Sequence, residues 1–303
     1  IRNKMLEKYK IRGKYYHIVV DGTGLATSKK KYNANCLVKN KTDKKGNEYQ
    51  EYSTYVLEAK LVVGEMVFSI GSEFVENEQE NVSKQDCEIN AFKRLAKKIK
   101  TSYPRLKIII GADALYASKS IMDICKENKW KYVIRFKEGR IPTLYNEFKT
   151  VVEKNNESKK ENYEYVTKLD YQEEKINIIK YTENEKKTEF VYMTDLPITN
   201  KNIEETIKVG RKRWKIENEG FNVQKNETFD IGHLYSKNQI AIKIHYLIIQ
   251  IAHILRQLIE KGLKNVKEMN LKKKEISQLI KQTLISTKQS NLEVHRKVQL
   301  RFG

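Results

Sequence analysis

The sequence predicts an α/β protein in which a mixed sheet is flanked by helices. Short β-branched or aromatic runs alternate with segments whose apolar residues recur at helical spacing, and turn residues separate them. The first half has the predicted order βββαβαβ. Only three prolines and thirteen glycines interrupt the 303 residues. No repeat of solenoid length is present, so we expect a layered core and not a repeat array.

The first half begins with strands. Tyr15–Val20 is a β-branched and aromatic run that ends at Asp21, and the Gly-Thr-Gly that follows predicts a turn. Tyr55–Val63 and Met66–Val75 predict a hairpin around Gly64-Glu65. This interpretation places Asp21 at the carboxyl end of the first strand.

Helices and strands then alternate. Ser83 opens an S-x-x-D helix start, and apolar residues follow it at helical spacing. The apolar run Leu106–Ile110 predicts a central buried strand that leads into Asp113. A helix is predicted over Ser118–Asn128 and a strand over Lys131–Phe136. Asp113 therefore repeats the setting of the first aspartate.

The second half changes in composition. Residues 144–200 are rich in Lys, Glu and Asn and carry alternating runs, which predict an inserted, antiparallel β-rich subdomain. A polar helix is predicted over 203–226 and an apolar one over 240–259, which either contacts a second copy or packs on the sheet. We expect four segments: the first part of the core (1–143), the insertion (144–200), the second part of the core with a Glu-bearing helix (201–262), and a basic C-terminal tail (263–303).

The charge balance points to a polyanionic partner. Lys and Arg number 59 against 39 Asp and Glu, which gives a formal net charge of +20 and a pI of about 9.5. Residues 261–301 hold eleven Lys or Arg and three Asp or Glu. That tail is expected either to bind phosphates or to be a solvated, partly helical segment.

Composition also excludes several classes. No uninterrupted apolar stretch approaches the roughly 18 residues of a membrane span. The three cysteines, Cys36, Cys87 and Cys125, are far apart and odd in number. They exclude a disulfide scaffold and a structural zinc site, and favour a reducing, cytoplasmic compartment.

Two aspartates at strand ends, followed by a glutamate on a helix, suit a divalent metal beside a phosphodiester. Magnesium prefers hard oxygen ligands. Asp21 and Asp113 would converge if their strands are neighbours, and Glu217 on the later helix would complete the site. Each has a plainer interpretation: Asp21 as a turn residue, and Glu217 as a solvated partner of Lys or Arg. Glu219 is an alternative third ligand.

Neighbours of the glutamate are candidates for holding DNA. Arg213 stands four residues before Glu217 and shares its helix face, so it would pair with the carboxylate or grip a phosphate. The alternative is a surface ion pair of little energetic value. Trp214 would stack on a displaced base or belong to the core.

Four stretches together resemble a known family. DGTGLATS, ENEQENVSKQDCEINAFKRLAKKIK, GADALYAS and RWKIENEGFNVQK are similar to the DDE transposases of bacterial insertion sequences, in the group with a Y-R-E-K signature around its glutamate. The resemblance extends over residues 15–262. It implies a ribonuclease-H-like core with a β-rich insertion between the second Asp and the Glu.

The resemblance also assigns roles by position. It implies that Asp21, Asp113 and Glu217 are catalytic and metal-binding, and Arg213 matches the signature arginine. Gly210 stands at the signature's tyrosine. Gln224 stands at its lysine, with Lys225 one position later. We therefore carry the lysine's phosphate-binding role to Lys225, and Trp214 completes the candidate DNA contacts.

The activity implied is metal-dependent cleavage at transposon ends followed by strand transfer into target DNA. Two Mg²⁺ ions, replaceable by Mn²⁺, would serve as cofactors. Paired protomers would act on paired DNA ends in the bacterial cytoplasm. The rival hypotheses are a decayed or domesticated protein that only binds DNA, a ribonuclease-H-like nuclease without strand transfer, and a basic RNA-binding protein, which no RRM or KH motif supports.

Overall fold

The computed structural model describes residues 5–77, 86–154, 159–160, 162–183, 187–227, 229–263, 266, 268–269 and 271–286. The chain divides into two compact units, residues 1–254 and 255–303. The first unit holds the sheet and the candidate site. The basic tail contains one described helix, and residues 287–303, part of the predicted phosphate-binding segment, lie outside the described residues.

Strands and helices alternate in the predicted mixed α/β pattern. The strands are β1 Tyr16–Ser28, β2 Leu37–Thr42, β3 Glu48–Val63, β4 Met66–Val75, β5 Ile108–Ala112, β6 Lys131–Arg135, β7 Lys159–Lys160, β8 Tyr163–Tyr171, β9 Glu174–Thr182 and β10 Glu189–Thr194. The α-helices are α1 Glu88–Ser102, α2 Lys119–Glu127, α3 Pro142–Lys154, α4 Ile203–Arg211, α5 Gln239–Gly262 and α6 Lys273–Ser286.

All ten described strands join one sheet. Its order is β2-β3-β1-β5-β6-β10-β9-β8-β7, and β4 pairs with the same edge of β3 as β2 does. The pairs β1–β5 and β5–β6 are parallel, and the other pairs are antiparallel. The β4-β3-β1-β5-β6 half, with its antiparallel and then parallel pairs, is consistent with the ribonuclease-H-like core that the resemblance implies.

Strand β1 separates two layers of core. Ile18 and Val20 point to the face covered by α1, where Phe92 and Leu95 are buried. Val19 points to the opposite face and packs with side chains of the helical segment that follows α4. Because side chains alternate along a strand, Asp21 lies on the same face as Val19.

Strand β1 is longer than predicted. Asp21 and the Gly-Thr-Gly after it lie within the strand, because residues 20–28 continue to pair with β3 along its antiparallel edge. The predicted turn at 22–24 is therefore wrong. Asp21 still marks an end, because the pairing of β1 with β5 stops at Val19.

Other boundaries also differ. Strand β2 was missed, since its sequence LVKNKT is exposed and carries little apolar signal. Ser83 lies outside the described residues, and the helix that it was expected to open begins at Glu88 as described. The segment 144–200 begins inside helix α3, which was not predicted. Its strands extend the central sheet, because β10 pairs with β6; the division of the chain into four segments stays a prediction.

Helix α5 confirms the predicted apolar helix. It is long and apolar enough to cross a membrane by length and composition, and 39% of its most apolar window is buried in the structure. A core helix passes the same test, so the predicted absence of a membrane span stays a prediction.

Replacing His17 by Leu is expected to make the protein less sensitive to acid. His17 is buried, neither ring nitrogen has a hydrogen-bond partner among the described residues, and burial, reinforced by Lys212, lowers its pKa to about 3. The unfolded chain takes up this proton near pH 6.5 and the folded protein does not, so stability falls as pH decreases from 6.5 towards 3, by at most about 1.4 kcal/mol per pH unit.

Thermal unfolding at pH 7.5 and pH 5 measures this effect. The decrease in Tm between the two pH values should be smaller in His17→Leu than in the wild type. The same replacement at the exposed His233 serves as the control and should not reduce the decrease. An unchanged pH dependence in His17→Leu would contradict the assignment.

Candidate active site

The register of two parallel strands brings the predicted aspartates together. Strand β1 pairs with β5 at a constant offset of 92 residues, ending with Val19 opposite Gly111. Asp21 and Asp113 are separated by the same offset. Residues at matching positions of parallel neighbours lie side by side and on one face of the sheet. The two carboxylates are therefore expected to leave the sheet at the same level.

Asp21 is held in a buried, charged environment. Its Oδ1 accepts a hydrogen bond from the Gly22 N–H at 3.0 Å, and its Oδ2 lies 3.1 Å from Nη1 of Arg213. Burial raises the pKa of Asp21 to about 7. Arg213 and the Gly22 N–H oppose this increase, whereas the negative charges of Glu217 and Asp113 add to it. Asp21 thus lies close enough to Glu217 and to Asp113 for each negative charge to act on it.

Asp113 caps a short turn at the end of β5. Its Oδ1 accepts a hydrogen bond from the Leu115 N–H at 2.8 Å, and Ala114–Tyr116 forms a 3-10 turn. Such a cap fixes the carboxylate relative to the strand end. Asp113 also lines a cavity of about 680 Å³.

The predicted polar helix is helical but irregular. Helix α4 tightens into a 3-10 turn at Lys212–Trp214 and then widens into π-helical turns over Ile216–Phe221 and Val223–Glu227. Ile216 and Phe221 are buried against the sheet. Short π segments are frequent at functional sites. This irregular segment carries every candidate residue of the second half.

Arg213 joins the two halves of the site. Its guanidinium contacts Asp21 and lies 3.7 Å from Oε2 of Glu217. The ion pair of the plainer interpretation is therefore present, but only 14% of the Arg213 side chain is exposed, so it is not a surface pair. Glu217 lines the cleft that contains Asp21, whereas Glu219 is not among the residues that line it. The geometry therefore favours Glu217 as the third carboxylate.

Two cavities meet at this point. A cleft of about 480 Å³ is lined by Asp21, Glu217 and Lys225, and the larger cavity is lined by Asp113. Trp214 borders both cavities and is 49% exposed, which makes the core interpretation of this residue wrong. An exposed indole between two cavities is available to stack on a base.

The π turns explain why Lys225 and not Gln224 faces the site. A π-helix closes i→i+5 hydrogen bonds and needs more residues per turn than an α-helix, so a residue on the face of Glu217 recurs later in the sequence. Gln224 is fully buried and bonds Gln250 and His253. Lys225 lines the cleft, and partial burial lowers its pKa.

Replacing Lys225 by Ala is expected to weaken DNA binding, because the variant loses a cation beside the cleft. The slope of log K against log salt should decrease by about one. Binding titrations at several salt concentrations measure this slope. The control, Lys208→Ala, removes an exposed lysine of the same helical segment and should change binding less. Equal effects of the two replacements on DNA binding would show that Lys225 contributes no more than an exposed lysine outside the cleft.

The signature's tyrosine position also has a structural explanation. A side chain at Gly210 would collide with Tyr192, whose Cε1 lies 2.5 Å from the position of an added Cβ. Tyr192 comes from β10 and fills this space within the larger cavity. The signature's tyrosine therefore has no room at residue 210.

Sequence reasoning missed the cationic wall of the larger cavity. The guanidinium carbons of Arg135 and Arg211 lie 4.6 and 4.1 Å from the ring centroid of Phe190. These residues come from β6, α4 and β10, and each is an ordinary strand or helix residue in sequence. Only the sheet order that joins β10 to β6 brings them together.

The three carboxylates have the right chemistry to bind a divalent ion, but their spacing in this structure does not form a metal site. All three offer hard oxygen ligands, and the raised pKa of Asp21 marks a place where added positive charge is favourable. Among the described residues, no three His, Cys, Asp or Glu side chains are arranged to hold one metal ion. The Arg213 guanidinium lies between two of the carboxylates and supplies the positive charge there.

Comparison with known proteins agrees with this geometry. A family model described as transposase DDE domain, group 1, matches residues 68–300, more than half of the chain. The chain belongs to the DDE transposase family. The match includes Asp113 and Glu217, and Asp21 lies before it. No curated protein matches the chain. Membership in the DDE transposase family implies an enzyme that acts on DNA, and such domains generally use divalent metal ions.

Proposed function

We propose that this chain is the catalytic part of a cut-and-paste transposase of the Y-R-E-K group. It would cleave DNA at the ends of its own insertion sequence and join the freed 3′-hydroxyl to target DNA, with paired protomers on paired ends. The observation that carries the proposal is that the Arg213 guanidinium joins Asp21 to Glu217 where β1 and β5 separate, with Asp113 at the register position of β5 that matches Asp21.

Asp21, Asp113 and Glu217 would hold two Mg²⁺ ions. When bound, these ions activate the attacking water or 3′-hydroxyl and stabilise the leaving oxygen. Binding requires Arg213 to leave Asp21. Arg213 would then be free to hold a phosphate oxygen of the DNA, a role for which its planar fork is well suited.

Other residues would position the DNA. Lys225 adds a positive charge beside the cleft, and Trp214 offers a stacking surface at the meeting of the two cavities. Arg135 and Lys137 add positive charge to the larger cavity, where Arg211 is paired with Glu183. The formal charge of +20 would supply sequence-independent attraction to the phosphate backbone.

Cleavage and strand-transfer assays test this function. The substrates are the DNA ends that flank the coding sequence, with a supercoiled plasmid as target and Mg²⁺ or Mn²⁺ present. We expect nicking at the ends and covalent joining of the 3′ ends to the plasmid. Glu217→Gln should abolish both steps, and the matched control Glu219→Gln should retain them. Cleavage without joining would indicate a nuclease, and binding without cleavage a protein that only holds DNA; either result would overturn the proposal.

A further inference from the structure

A fourth carboxylate, Glu88, lies beside the site but on the other face of the sheet. It is the first residue of α1. Its Oε1 accepts a hydrogen bond from the Tyr55 hydroxyl at 3.0 Å, and its Oε2 accepts one from the Tyr116 hydroxyl at 2.9 Å. The first turn of a helix is a favourable position for a carboxylate side chain.

Tyr55 is packed against the segment that carries Asp21. An added Cβ at Gly22 would lie 2.4 Å from Cε1 of Tyr55. The tyrosine ring therefore lies directly over the β1 backbone next to Asp21, in space that only a glycine leaves open.

Tyr116 is part of the segment that carries Asp113. It ends the 3-10 turn that the Asp113 carboxylate caps, and it is fully buried. Its ring meets Phe92 of α1 edge-to-face, with centroids 5.7 Å apart. The position of the Tyr116 hydroxyl is therefore fixed relative to the turn after β5.

These contacts occur where the backbone no longer connects the two strands. The pairing of β1 with β5 ends at Val19 and Gly111, two residues before each aspartate. Beyond that point Glu88 provides a connection, since its carboxylate accepts one hydrogen bond from Tyr55 of β3, which packs over Gly22 of β1, and one from Tyr116 of the turn after β5. Charge-assisted hydrogen bonds of this kind are about twice as strong as neutral ones.

Electrostatics agree with the geometry. Burial raises the pKa of both tyrosines, and Glu88, Asp21 and Asp113 raise it further. Both hydroxyls therefore stay protonated and donate to Glu88. Because Glu88 lies on the face of the sheet that α1 covers, opposite to the face of Asp21, we do not assign it as a metal ligand.

We propose that Glu88 is a positioning residue that fixes the separation of Asp21 and Asp113 through Tyr55 and Tyr116. The inference rests on the proposed function, because the separation matters for holding metal ions and a scissile phosphate. A misplacement of about 1 Å can cost about 100-fold in rate.

Two sets of measurements test this role. The first is a stability cycle without metal or DNA: the decrease in Tm caused by Tyr55→Phe should be at least halved when Glu88→Ala is already present, and Tyr116→Phe should behave likewise. Additive decreases would overturn the proposed connection, whether or not the protein cleaves DNA.

The second set measures cleavage of the same DNA ends well below the Tm of each variant. The double variant Tyr55→Phe/Tyr116→Phe should lower kcat about tenfold or more and raise the Mn²⁺ concentration for half-maximal rate, with KM for DNA changed less than about twofold. Glu88→Ala should match or exceed these effects, and Glu88→Gln should restore part of the rate. A purely structural role would lower Tm without moving the metal dependence.

Tyr16→Phe is the matched control. It removes a tyrosine–glutamate hydrogen bond, to Glu7 at 3.3 Å, at the opposite end of β1. Its kcat and metal dependence should equal those of the wild type. A double tyrosine variant that behaves like this control would overturn the positioning role. A wild-type protein that does not cleave would instead overturn the proposed function, and the stability cycle would still decide whether Glu88 connects the two segments.

Discussion

Replacing Asp21 by Asn is expected to abolish metal-dependent DNA cleavage and, in the metal-free protein at pH 8, to raise thermal stability. The loss of cleavage should be roughly a thousandfold or more, because one of the carboxylates that would hold the metal ions is removed. Binding of DNA driven by the basic surface should change little.

The stability gain follows from the pKa of the buried carboxyl. The folded-state pKa of about 7 lies above the ordinary value of 3.8. The favourable contribution of the neutral carboxyl is therefore present at low pH and lost as pH rises through 7. At pH 8 the folded wild type carries the full free-energy cost of burying the charged Asp21 carboxylate, on the order of a few kcal/mol. The neutral asparagine has no such cost. We expect Tm to rise by roughly 5 °C at pH 8 and the difference to vanish near pH 4.

Calorimetry at the two pH values and a cleavage assay together check this prediction. Asp170→Asn is the control, because Asp170 is an exposed aspartate of β8 paired with Lys175. It should change neither cleavage nor the pH dependence. Loss of cleavage in Asp21→Asn accompanied by a lower Tm at pH 8 would show that Asp21 stabilises the fold and would contradict the assignment.

Replacing Glu58 by Gln is expected to destabilise the protein by about 3 kcal/mol or more, the cost of leaving a buried charge unpaired. Glu58 and Lys60 are both fully buried, with Nζ and Oε1 3.8 Å apart. Lys60 also donates to Gln250 at 2.7 Å, and Glu58 accepts from Tyr246 at 2.8 Å. Without Glu58, the nearest compensating negative charge to Lys60 is lost.

The effect should extend to the active site. The Lys60 stem lies beneath Gly220, where an added Cβ would be 3.1 Å from its Cε, in the same π-helical turn as Glu217. The urea concentration at the midpoint of unfolding and the rate of DNA cleavage should therefore both be lower in Glu58→Gln than in the wild type. Adding Lys60→Met should recover most of the stability, because it removes the unpaired charge. An unchanged unfolding midpoint in Glu58→Gln would contradict the importance of this pair.

The local patterns predicted most strands at the centre of the sheet, and there is a physical reason for this. Strands β4, β5 and β6 are apolar runs or are bounded by clear turns, so they can be predicted from the local sequence without knowledge of the tertiary structure. The β1–β5 register pairs residues that are 92 positions apart in sequence, and Asp21 and Asp113 have the same separation. The two aspartates therefore lie at matching positions of neighbouring strands.

The misses come from long-range pairing. Gly22 and Gly24 look like turn residues, yet β3 supplies an antiparallel edge that keeps the chain extended, and Gly22 makes room for Tyr55. The π turns that bring Lys225 to the cleft depend on packing against the sheet. The sequence around Glu88 does not indicate its position in the structure, because the tyrosines that donate hydrogen bonds to it are 33 and 28 residues away.

Anomalous scattering from crystals soaked in manganese tests the central claim most directly, because metal capture requires neither DNA ends nor a partner protomer. We predict Mn²⁺ within about 2.5 Å of carboxylate oxygens of Asp21, Asp113 and Glu217, with the Arg213 guanidinium displaced from Asp21. Crystals that keep the Arg213–Asp21 ion pair and show no manganese at these carboxylates, at concentrations that saturate related metal nucleases, would contradict it.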